Sequence, residues 1–399
     1  MTTGLETAKL GDLIQPAQTW NPLRSDAERV FDYIDLSAVD QDQKLITEAR
    51  QISCAEAPSR ARQIVQHGDV LVSTVRPNLN GVARVTKSLD GATASTGFCV
   101  LRAKASELDG SYLFHWVKSP VFVADMVKKA TGASYPAVSD RIIFESPIPL
   151  PPLPRQRRIA EVLDKAEALR AKRRAALAQL DSLTQSLFLD LFGDPVANSK
   201  GWVDSKMLGD VADIVSGITK GRKVNGEAVR EVPYLAVVNV QDKSLNLKSL
   251  KMIEATEREV DRYKLIENDL LLTEGGDPDK LGRGTLWNNE LPECIHQNHI
   301  FRVRLTSLDI DPLFLNWLVG SQRGKKYFLR SAKQTTGIAS INMTQLRGFP
   351  LLIPPLALQR EFARRVAAVE KLKTAQRAAL TELDALFASL QHRAFRGEL

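Results

Sequence analysis

One ordered series of short motifs occurs twice in this sequence of 399 residues, and no other feature constrains the fold as strongly. The matching segments are Leu10-Gly11-Asp12 with Leu208-Gly209-Asp210, Tyr33-Ile34 with Tyr234-Leu235, Gly68 to Leu71 with Asn268 to Leu271, Leu113 to Trp116 with Phe314 to Trp317, and Thr131-Gly132 with Thr336-Gly337. The spacing of about 200 residues is far longer than the period of solenoid repeats. Each copy is therefore expected to be a folded domain with an appendage.

The strongest match closes each copy and predicts a long helix. Pro151-Pro152-Leu153 and Gln156-Arg157 correspond to Pro354-Pro355-Leu356 and Gln359-Arg360. Apolar residues then recur alternately four and three positions apart, which is the pattern of a coiled-coil seam. The predicted seam consists of Val162, Ala166, Leu169, Arg173, Ala176, Leu180, Leu183 and Leu187, and of Arg365, Val369, Leu372, Gln376, Ala379, Leu383, Leu386 and Leu390.

Prolines and a glycine predict where the first long helix begins and ends. Pro151-Pro152 and Pro154 disfavour helical structure ahead of Arg155. Gly193-Asp194-Pro195 ends the helix after Leu191.

The two long helices are expected to pair with each other, antiparallel, about a pseudo-two-fold axis. Arg173 and Gln376 interrupt the two seams at equivalent positions. An antiparallel pair would bring them together in a buried polar contact that fixes the register. In the alternative interpretation, each helix packs separately on its own domain.

Short β-rich runs and modest helices alternate in the body of each copy. The predicted strands are Val70 to Val75, Phe98 to Arg102, Leu270 to Thr273 and Ile300 to Arg304, and the predicted helices include Ser111 to Lys118 and Pro312 to Gly320. The expected fold class is α+β, with tandem globular α/β domains over residues 1–152 and 193–353. The long helices occupy residues 153–192 and 354–399.

The formal net charge of +7 is concentrated on the two long helices. Arg155 to Arg174 carries a net charge of +5 and Arg360 to Arg377 a net charge of +4, so the rest of the chain is slightly acidic. Such segments permit a polyanionic partner without proving one.

The remaining composition favours a cytoplasmic protein. Cys54, Cys99 and Cys294 are odd in number and show no paired spacing, which favours a reducing compartment over a disulfide framework. No apolar run approaches the roughly 20 residues that a membrane span needs. The N-terminus lacks the basic start and apolar stretch of a signal peptide.

Motifs of catalysis are not found, so the chain is expected to be non-catalytic and to hold no cofactor. Gly275-Gly276 to Gly284 lacks the closing Gly-Lys-Ser/Thr of a P-loop, and the glycine fingerprint of a dinucleotide or adenosyl site is missing. Cys294, His296 and His299 are interpreted as alternating strand residues, with no metal expected. An enzyme with an unrecognised active site is a further alternative.

The motifs at the ends of the copies resemble those of the specificity subunit of type I restriction–modification enzymes. The resemblance rests on PPLPRQRRIAEVLDKAEAL and PPLALQREFARRVAAVEKL, on the endings LTQSLFLDLFGDP and LFASLQHRAFRGEL, and on the repeated Leu-Gly-Asp and Thr-Gly motifs. It covers the whole chain.

The resemblance implies that each globular domain is a target recognition domain for one part of a split double-stranded DNA sequence. It also implies that the paired helices set the distance between the parts and dock two methyltransferase subunits, with restriction/translocase subunits as further partners. Adenosylmethionine and ATP with Mg²⁺ are then expected on the partner subunits. The basic helix segments face either the DNA backbone or acidic surfaces of the methyltransferase.

Side chains that read DNA must reach base edges or phosphates from loops. The candidates are Arg76, Asn78, Asn80, Ser134 and Tyr135 in the first copy, and Lys220, Arg222, Lys223, Lys280, Arg283, Gln297, Asn298, Thr335 and Thr336 in the second. The alternative function is a coiled-coil scaffold that binds proteins without reading DNA, which the slightly acidic globular halves favour.

Overall fold

The computed structural model describes residues 6–224, 226–277, 281–335 and 338–399. The chain divides into two compact units, Met1–Ala175 with Gln376–Leu399, and Ala176–Ala375, called unit 1 and unit 2 below. Each long helix contributes one half to each unit. No helix in the described part of the chain is long and apolar enough to cross a membrane.

Unit 1 combines small sheets with helices. Its strands are β1 (Thr7–Lys9), β2 (Ile14–Gln15), β3 (Gln18–Thr19), β4 (Val30–Ile34), β5 (Val39–Asp40), β6 (Leu45–Ile46), β7 (Arg50–Ser53), β8 (Ala61–Ile64), β9 (Val70–Ser73), β10 (Val82–Arg84), β11 (Thr93–Ser95), β12 (Phe98–Ala103) and β13 (Pro147–Pro149). Its helices are α1 (Gly110–Val117), α2 (Pro120–Lys129), α3 (Asp140–Phe144) and the first half of α4 (Leu153–Phe192). The main sheets have the orders β10-β9-β12-β2 and β3-β8-β11-β4-β7.

The central strand β9 is buried on both faces, which explains its continuous apolar run. Val70 and Val72 pack into a core with α1, α2 and the long helices. Leu71 points the other way, into a second core that joins the two main sheets. β9 pairs with β12 in antiparallel register, with Val70 opposite Leu101.

Unit 2 repeats this construction. Its strands are β14 (Ala212–Ser216), β15 (Arg230–Leu235), β16 (Val240–Gln241), β17 (Ser244–Leu245), β18 (Lys251–Ala255), β19 (Leu270–Thr273), β20 (Gly275–Gly276), β21 (Gly284–Leu286), β22 (Ile295–His296), β23 (Ile300–Leu305), β24 (Lys333–Thr335) and β25 (Ile338–Ser340). Its helices are α5 (Leu208–Val211), α6 (Glu257–Tyr263), α7 (Pro312–Val319), α8 (Gln322–Ser331), α9 (Met343–Arg347) and the first half of α10 (Leu356–Arg396). The larger sheets are β14-β23-β19-β21, β18-β15-β22 and β20-β25-β24.

The predicted strands and helices are confirmed in both units, including α4 and α10. α4 begins at Leu153, two residues before Arg155, with Pro154 inside its first turn. Proline is tolerated there because the first backbone N–H groups of a helix have no intrahelical acceptor. Gly193 follows the helix at φ +76°, in the left-handed region that glycine adopts most easily.

The antiparallel pairing of the long helices is confirmed within each unit. In unit 1, Arg155 donates to the carbonyl of Leu399 at 2.9 Å and Arg173 donates to Gln376 at 2.7 Å. In unit 2, Lys373 forms an ion pair with Asp181 at 2.7 Å, and Phe362 contacts Phe192 further along α4. As the residue number rises on one helix, it falls on the other. The fold class is therefore the expected one.

Two details of the predicted seam are wrong. Arg173 and Gln376 meet, but Arg173 is exposed, so their contact is not a buried polar one. Four predicted seam leucines are also about half exposed: Leu169, Leu183, Leu372 and Leu386. The buried stripe on α4 and α10 keeps the predicted seam residues Ala166 and Val369. Its other members lie outside the predicted seam: Ile159, Leu163, Phe188, Phe192, Phe362, Val366, Phe387 and Ala394.

The physical reason is that each helix half packs on the globular part of its unit, called the body below, as well as on the other helix. Ile159 and Leu163 belong to the core of unit 1 together with Phe387 of α10. Phe188 and Phe362 belong to the core of unit 2. Two packing surfaces require a wider apolar stripe than the narrow seam of an isolated coiled coil.

Candidate nucleic-acid interface

In unit 1, the structure brings together two loops that the sequence singled out separately. The loop after β9 contains Arg76, whose backbone N–H donates to the carbonyl of Pro136 at 2.7 Å. Val75 and Thr131 both bridge to Ala137, which joins this loop to the second one. The Arg76 guanidinium carbon lies 4.5 Å from the centroid of the exposed Tyr135 ring. These contacts form a single surface with an exposed cation and an exposed aromatic ring.

The other candidates in unit 1 differ in how free their side chains are. Asn78 and Ser134 are exposed and stand at the surface of the same two loops. The Asn80 side chain donates to the carbonyl of Lys118 at 3.3 Å, and the Asn80 carbonyl accepts from Lys44 at 2.6 Å. Asn80 thus holds the loop in place, with its backbone in the left-handed region at φ +51°.

In unit 2, Gln297 and Asn298 lie beside the segment that leads to the basic loop 220–223. Ile218 bridges to Gln297, and the backbone N–H of Asn298 donates to the Ile218 carbonyl at 3.0 Å. Glycine is required at position 217, because a Cβ there would lie 1.9 Å from the carbonyl oxygen of His296. Lys220 and Lys223 are exposed on the loop that follows.

Two arginines among the candidates are engaged by neighbouring side chains. Arg222 forms an ion pair with Glu259 that involves both carboxylate oxygens. This hydrogen bonding raises the pKa of Arg222 and lowers the pKa of Glu259 to about 2. Arg283 donates to the side chain of Gln241 at 3.3 Å. Both guanidinium groups therefore stabilise unit 2 itself.

Other second-copy candidates lie near the β20-β25-β24 sheet or outside the described part. Thr335 ends β24, which pairs with β25. Lys280 and Thr336 lie outside the described residues. Beside this sheet, exposed His299 contacts Glu274 at 2.5 Å.

The buried His296 is a packing residue. Its Nδ1 atom lies 2.9 Å from the carbonyl oxygen of Ile300, and burial lowers the pKa of His296 to about 4. No group of three or more His, Cys, Asp or Glu side chains within the described ranges could hold a metal ion.

Sequence reasoning missed how Gln156 and Gln359 attach the long helices to the bodies. Both are buried, with exposures of 1% and 0%. Gln156 accepts a hydrogen bond from the backbone of Asp109, and Gln359 accepts one from Asp311. Each also donates to two carbonyls, so the contacts in the two units are the same. The repeated Gln-Arg motif was the available signal.

A second attachment, also missed, occurs in unit 1 between α1 and α4. His115, fully buried, contacts Asp164 at 2.7 Å, and Lys118 forms an ion pair with Glu167 at 3.2 Å. Burial lowers the pKa of both His115 and Lys118, although the carboxylates oppose that shift. Gln391 of α10 donates to the His115 carbonyl at 3.1 Å. These groups fix both long helices to one body helix.

Comparison with known proteins gives the family. The model of the type I restriction modification DNA specificity domain matches residues 36–179 and 199–382. The specificity subunit of the type I restriction enzyme StySPI from Salmonella potsdam is 25% identical over 318 residues, which cover 76% of this chain and 68% of the relative.

Solved structures agree in fold. A structure described as showing complex assembly and conformational transition of the type I R-M system matches with a TM-score of 0.60 and 25% identity, covering 100% of this chain and 99% of that one. The S subunit of a type I restriction–modification system from M. genitalium matches with a TM-score of 0.56, covering 99% of this chain and 97% of that one. At 13% identity, the second match shows likeness of fold alone.

Proposed function

This chain belongs to the type I restriction modification DNA specificity family, and on that premise we propose that it reads a split DNA sequence, one part with each of its two units. In unit 1 the reading surface is the pair of loops around Arg76 and Tyr135. In unit 2 it is the region around Lys220, Lys223 and Gln297. Cationic, amide and aromatic groups on loops are the groups that contact phosphates and base edges.

The observation that carries the proposal is the contrast between a repeated framework and loops that differ. Gln156 and Gln359 make the same three kinds of hydrogen bond. The ion pair between Asp69 and Arg102 recurs between Asp269 and Arg304. The exposed loop groups, by contrast, are not the same in the two units. Two units that share a framework but differ in their exposed loops are suited to recognise two different DNA sequences.

The partners are proposed to bind along the long helices. Leu169 and Leu386 in unit 1, and Leu183 and Leu372 in unit 2, leave apolar side chains about half exposed. Exposed apolar side chains beside basic ones are typical of protein–protein contacts. Two methyltransferase subunits would dock there and supply adenosylmethionine chemistry, while restriction/translocase subunits would use ATP and Mg²⁺. The chain itself is then a non-catalytic subunit.

The long helices are proposed to set the spacing of the two DNA parts. Helices of 40 and 41 residues extend for roughly 60 Å at 1.5 Å per residue. Each base pair moves a DNA contact by about 3.4 Å along the axis and about 35° around it. A spacer of the wrong length would therefore misplace one set of base contacts.

The experiment is to lengthen both helices by one heptad, inserted after Ala175 and after Ala375, where the two units divide. Insertion there keeps the contacts within each unit, and about 10 Å of added helix corresponds to about three base pairs. Methylation mapping in cells that carry the partner subunits should show both half-sites unchanged and a longer spacer. Methylation at the original spacing alone would refute the role of the helices.

The scaffold alternative is separated by the salt dependence of DNA binding. Phosphate contacts release counterions, so the affinity of a DNA reader falls steeply with salt concentration. The purified chain, alone and with its methyltransferase, should show this dependence on duplex DNA. A chain that binds the methyltransferase but adds no affinity for DNA would be a scaffold.

A further inference from the structure

Arg76 holds an unusual backbone conformation that its surroundings keep in place. Its φ is +50°, in the left-handed region that residues with a side chain rarely adopt. It precedes Pro77, and its N–H donates to the Pro136 carbonyl at 2.7 Å. Strained positions of this kind persist only where neighbouring contacts fix them, and they cluster at ligand-contacting sites. The backbone of Arg76, and with it the direction in which its side chain leaves the loop, is therefore fixed relative to both loops.

Tyr135 positions the other end of that side chain. The guanidinium carbon lies 4.5 Å from the ring centroid. Tyr135 itself is 68% exposed, so core packing does not explain its presence. A contact with the ring face uses none of the five guanidinium N–H donors. The group is held in place while its hydrogen-bonding capacity stays available.

Among the arginines that the sequence nominated, Arg76 alone has a guanidinium without a polar partner in the described part of the chain. Arg222 is bound by Glu259, and Arg283 donates to Gln241. Arg76 meets the ring of Tyr135 and no described carboxylate. An exposed, oriented fork of N–H donors needs a partner with two adjacent acceptors.

We propose that Arg76, positioned by Tyr135, reads a guanine through its N7 and O6 atoms in the half-site that unit 1 recognises. These two acceptors match the planar guanidinium in a bidentate contact. A phosphate also offers two acceptors to a guanidinium, but a phosphate contact carries no sequence information, so base discrimination separates the two. The proposal rests on the proposed function, because it assigns one base within the DNA site of unit 1.

The test uses the chain with its methyltransferase partner and DNA duplexes that carry each of the four bases at every position of the wild-type half-sites. Arg76→Gly suits the positive φ and so keeps the loop, while Arg76→Lys keeps the charge. Both should lose discrimination at one guanine of the first half-site, by about 10- to 100-fold for Arg76→Gly and less for Arg76→Lys. The second half-site should be read as before.

Tyr135 variants separate positioning from structure. Tyr135→Phe keeps the ring and should retain the wild-type preference. Tyr135→Ala should relax discrimination at the same guanine, and adding it to Arg76→Gly should cause no further loss there. Arg141→Ala is the charge-matched control, since Arg141 is exposed and bound to Glu145. Thermal unfolding of each variant shows that the fold is kept.

Three outcomes would overturn the assignment to guanine. One is uniform weakening of all sequences by Arg76→Gly, which would identify a phosphate contact. Another is relaxation at a base other than guanine, and the third is unchanged preference at every position. If the wild-type complex itself shows no split recognition sequence, the proposed function fails as well, and this result is distinct from the other three.

Discussion

Gln156 should be one of the most sensitive polar positions in unit 1. Its side chain, 1% exposed, accepts from the Asp109 N–H at 2.9 Å and donates to the carbonyls of Glu107 at 3.0 Å and Pro151 at 2.9 Å. All of its hydrogen-bonding groups are thus used at the junction between α4 and the body. Gln156→Leu keeps the approximate volume and removes the three bonds at once.

The size of the effect follows from those bonds. Each contributes about 1 kcal/mol net, and a buried group left without a partner costs about 1–3 kcal/mol. The added apolar surface of leucine offsets about 1 kcal/mol. The three bonds less that offset give about 2 kcal/mol, and one partner left buried without a hydrogen bond adds about 1 kcal/mol, so the free energy of unfolding of unit 1 should fall by about 2–3 kcal/mol. For a unit of about 200 residues this lowers Tm by roughly 5–10 °C.

The duplication supplies a matched experiment in unit 2. Gln359 accepts from Asp311 at 2.8 Å and donates to the carbonyls of Asp309 and Pro354 at 3.0 and 2.8 Å. Gln359→Leu should destabilise unit 2 by a similar amount. The control is Gln185→Leu at an exposed position of α4, which should change stability by less than about 0.5 kcal/mol.

Thermal and urea unfolding, followed by circular dichroism and calorimetry, measure these changes. Gln156→Glu adds a second test, because a carboxylate would face two carbonyl acceptors and should destabilise at least as much as leucine. If Gln156→Leu behaves like the Gln185→Leu control, the glutamine does not attach the helix to the body, and the reasoning is wrong.

Three further predictions concern pH and ion pairs. His296 has a pKa near 6.5 in the unfolded chain and about 4 in the folded one, so protonation as the pH falls favours unfolding. The contribution of His296 to the free energy of unfolding of unit 2 should be complete above pH 6.5 and should fall by roughly 3 kcal/mol towards pH 4. In His296→Asn, Tm measured across this range should depend less on pH; an unchanged dependence would exclude His296 as the cause. The Arg170–Asp384 pair, whose carboxylate is 43% exposed, should show a coupling of about 0.5 kcal/mol in a double-mutant cycle. The equivalent Lys373–Asp181 pair should show a similar or smaller coupling, and 0.5 M salt should reduce both; couplings that do not respond to salt would contradict a screened surface interaction.

The sequence predicts the long helices, their antiparallel pairing and the main strands, because these depend on local periodicity and on the prolines and glycines at which elements begin and end. It does not predict which stripe of each helix is buried. Leu169 and Leu372 match the coiled-coil pattern and yet are 51% and 54% exposed. The bodies of the two units cover part of each helix, and that coverage depends on contacts between residues distant in sequence.

The same limit applies to the candidate interface. Arg222 and Arg76 look alike in sequence, since both are basic residues in loops. Only the fold places Glu259 against Arg222, 37 positions away, and Tyr135 against Arg76. Charge and residue type therefore identify candidate loop residues. Whether a candidate side chain is free to contact DNA depends on neighbours that are distant in sequence.

The contacts that attach the long helices are kept in both copies, whereas the exposed loop residues differ. Where the helices meet, Arg170 with Asp384 in unit 1 corresponds to Lys373 with Asp181 in unit 2, so the ion pair is kept although the cation changes. At the body loops, the exposed side chains differ between copies. If both units bind the same pair of helices but recognise different DNA sequences, the helix contacts must stay the same while the loops differ. A symmetric protein scaffold gives no physical reason for the loops to differ while the helix contacts are kept.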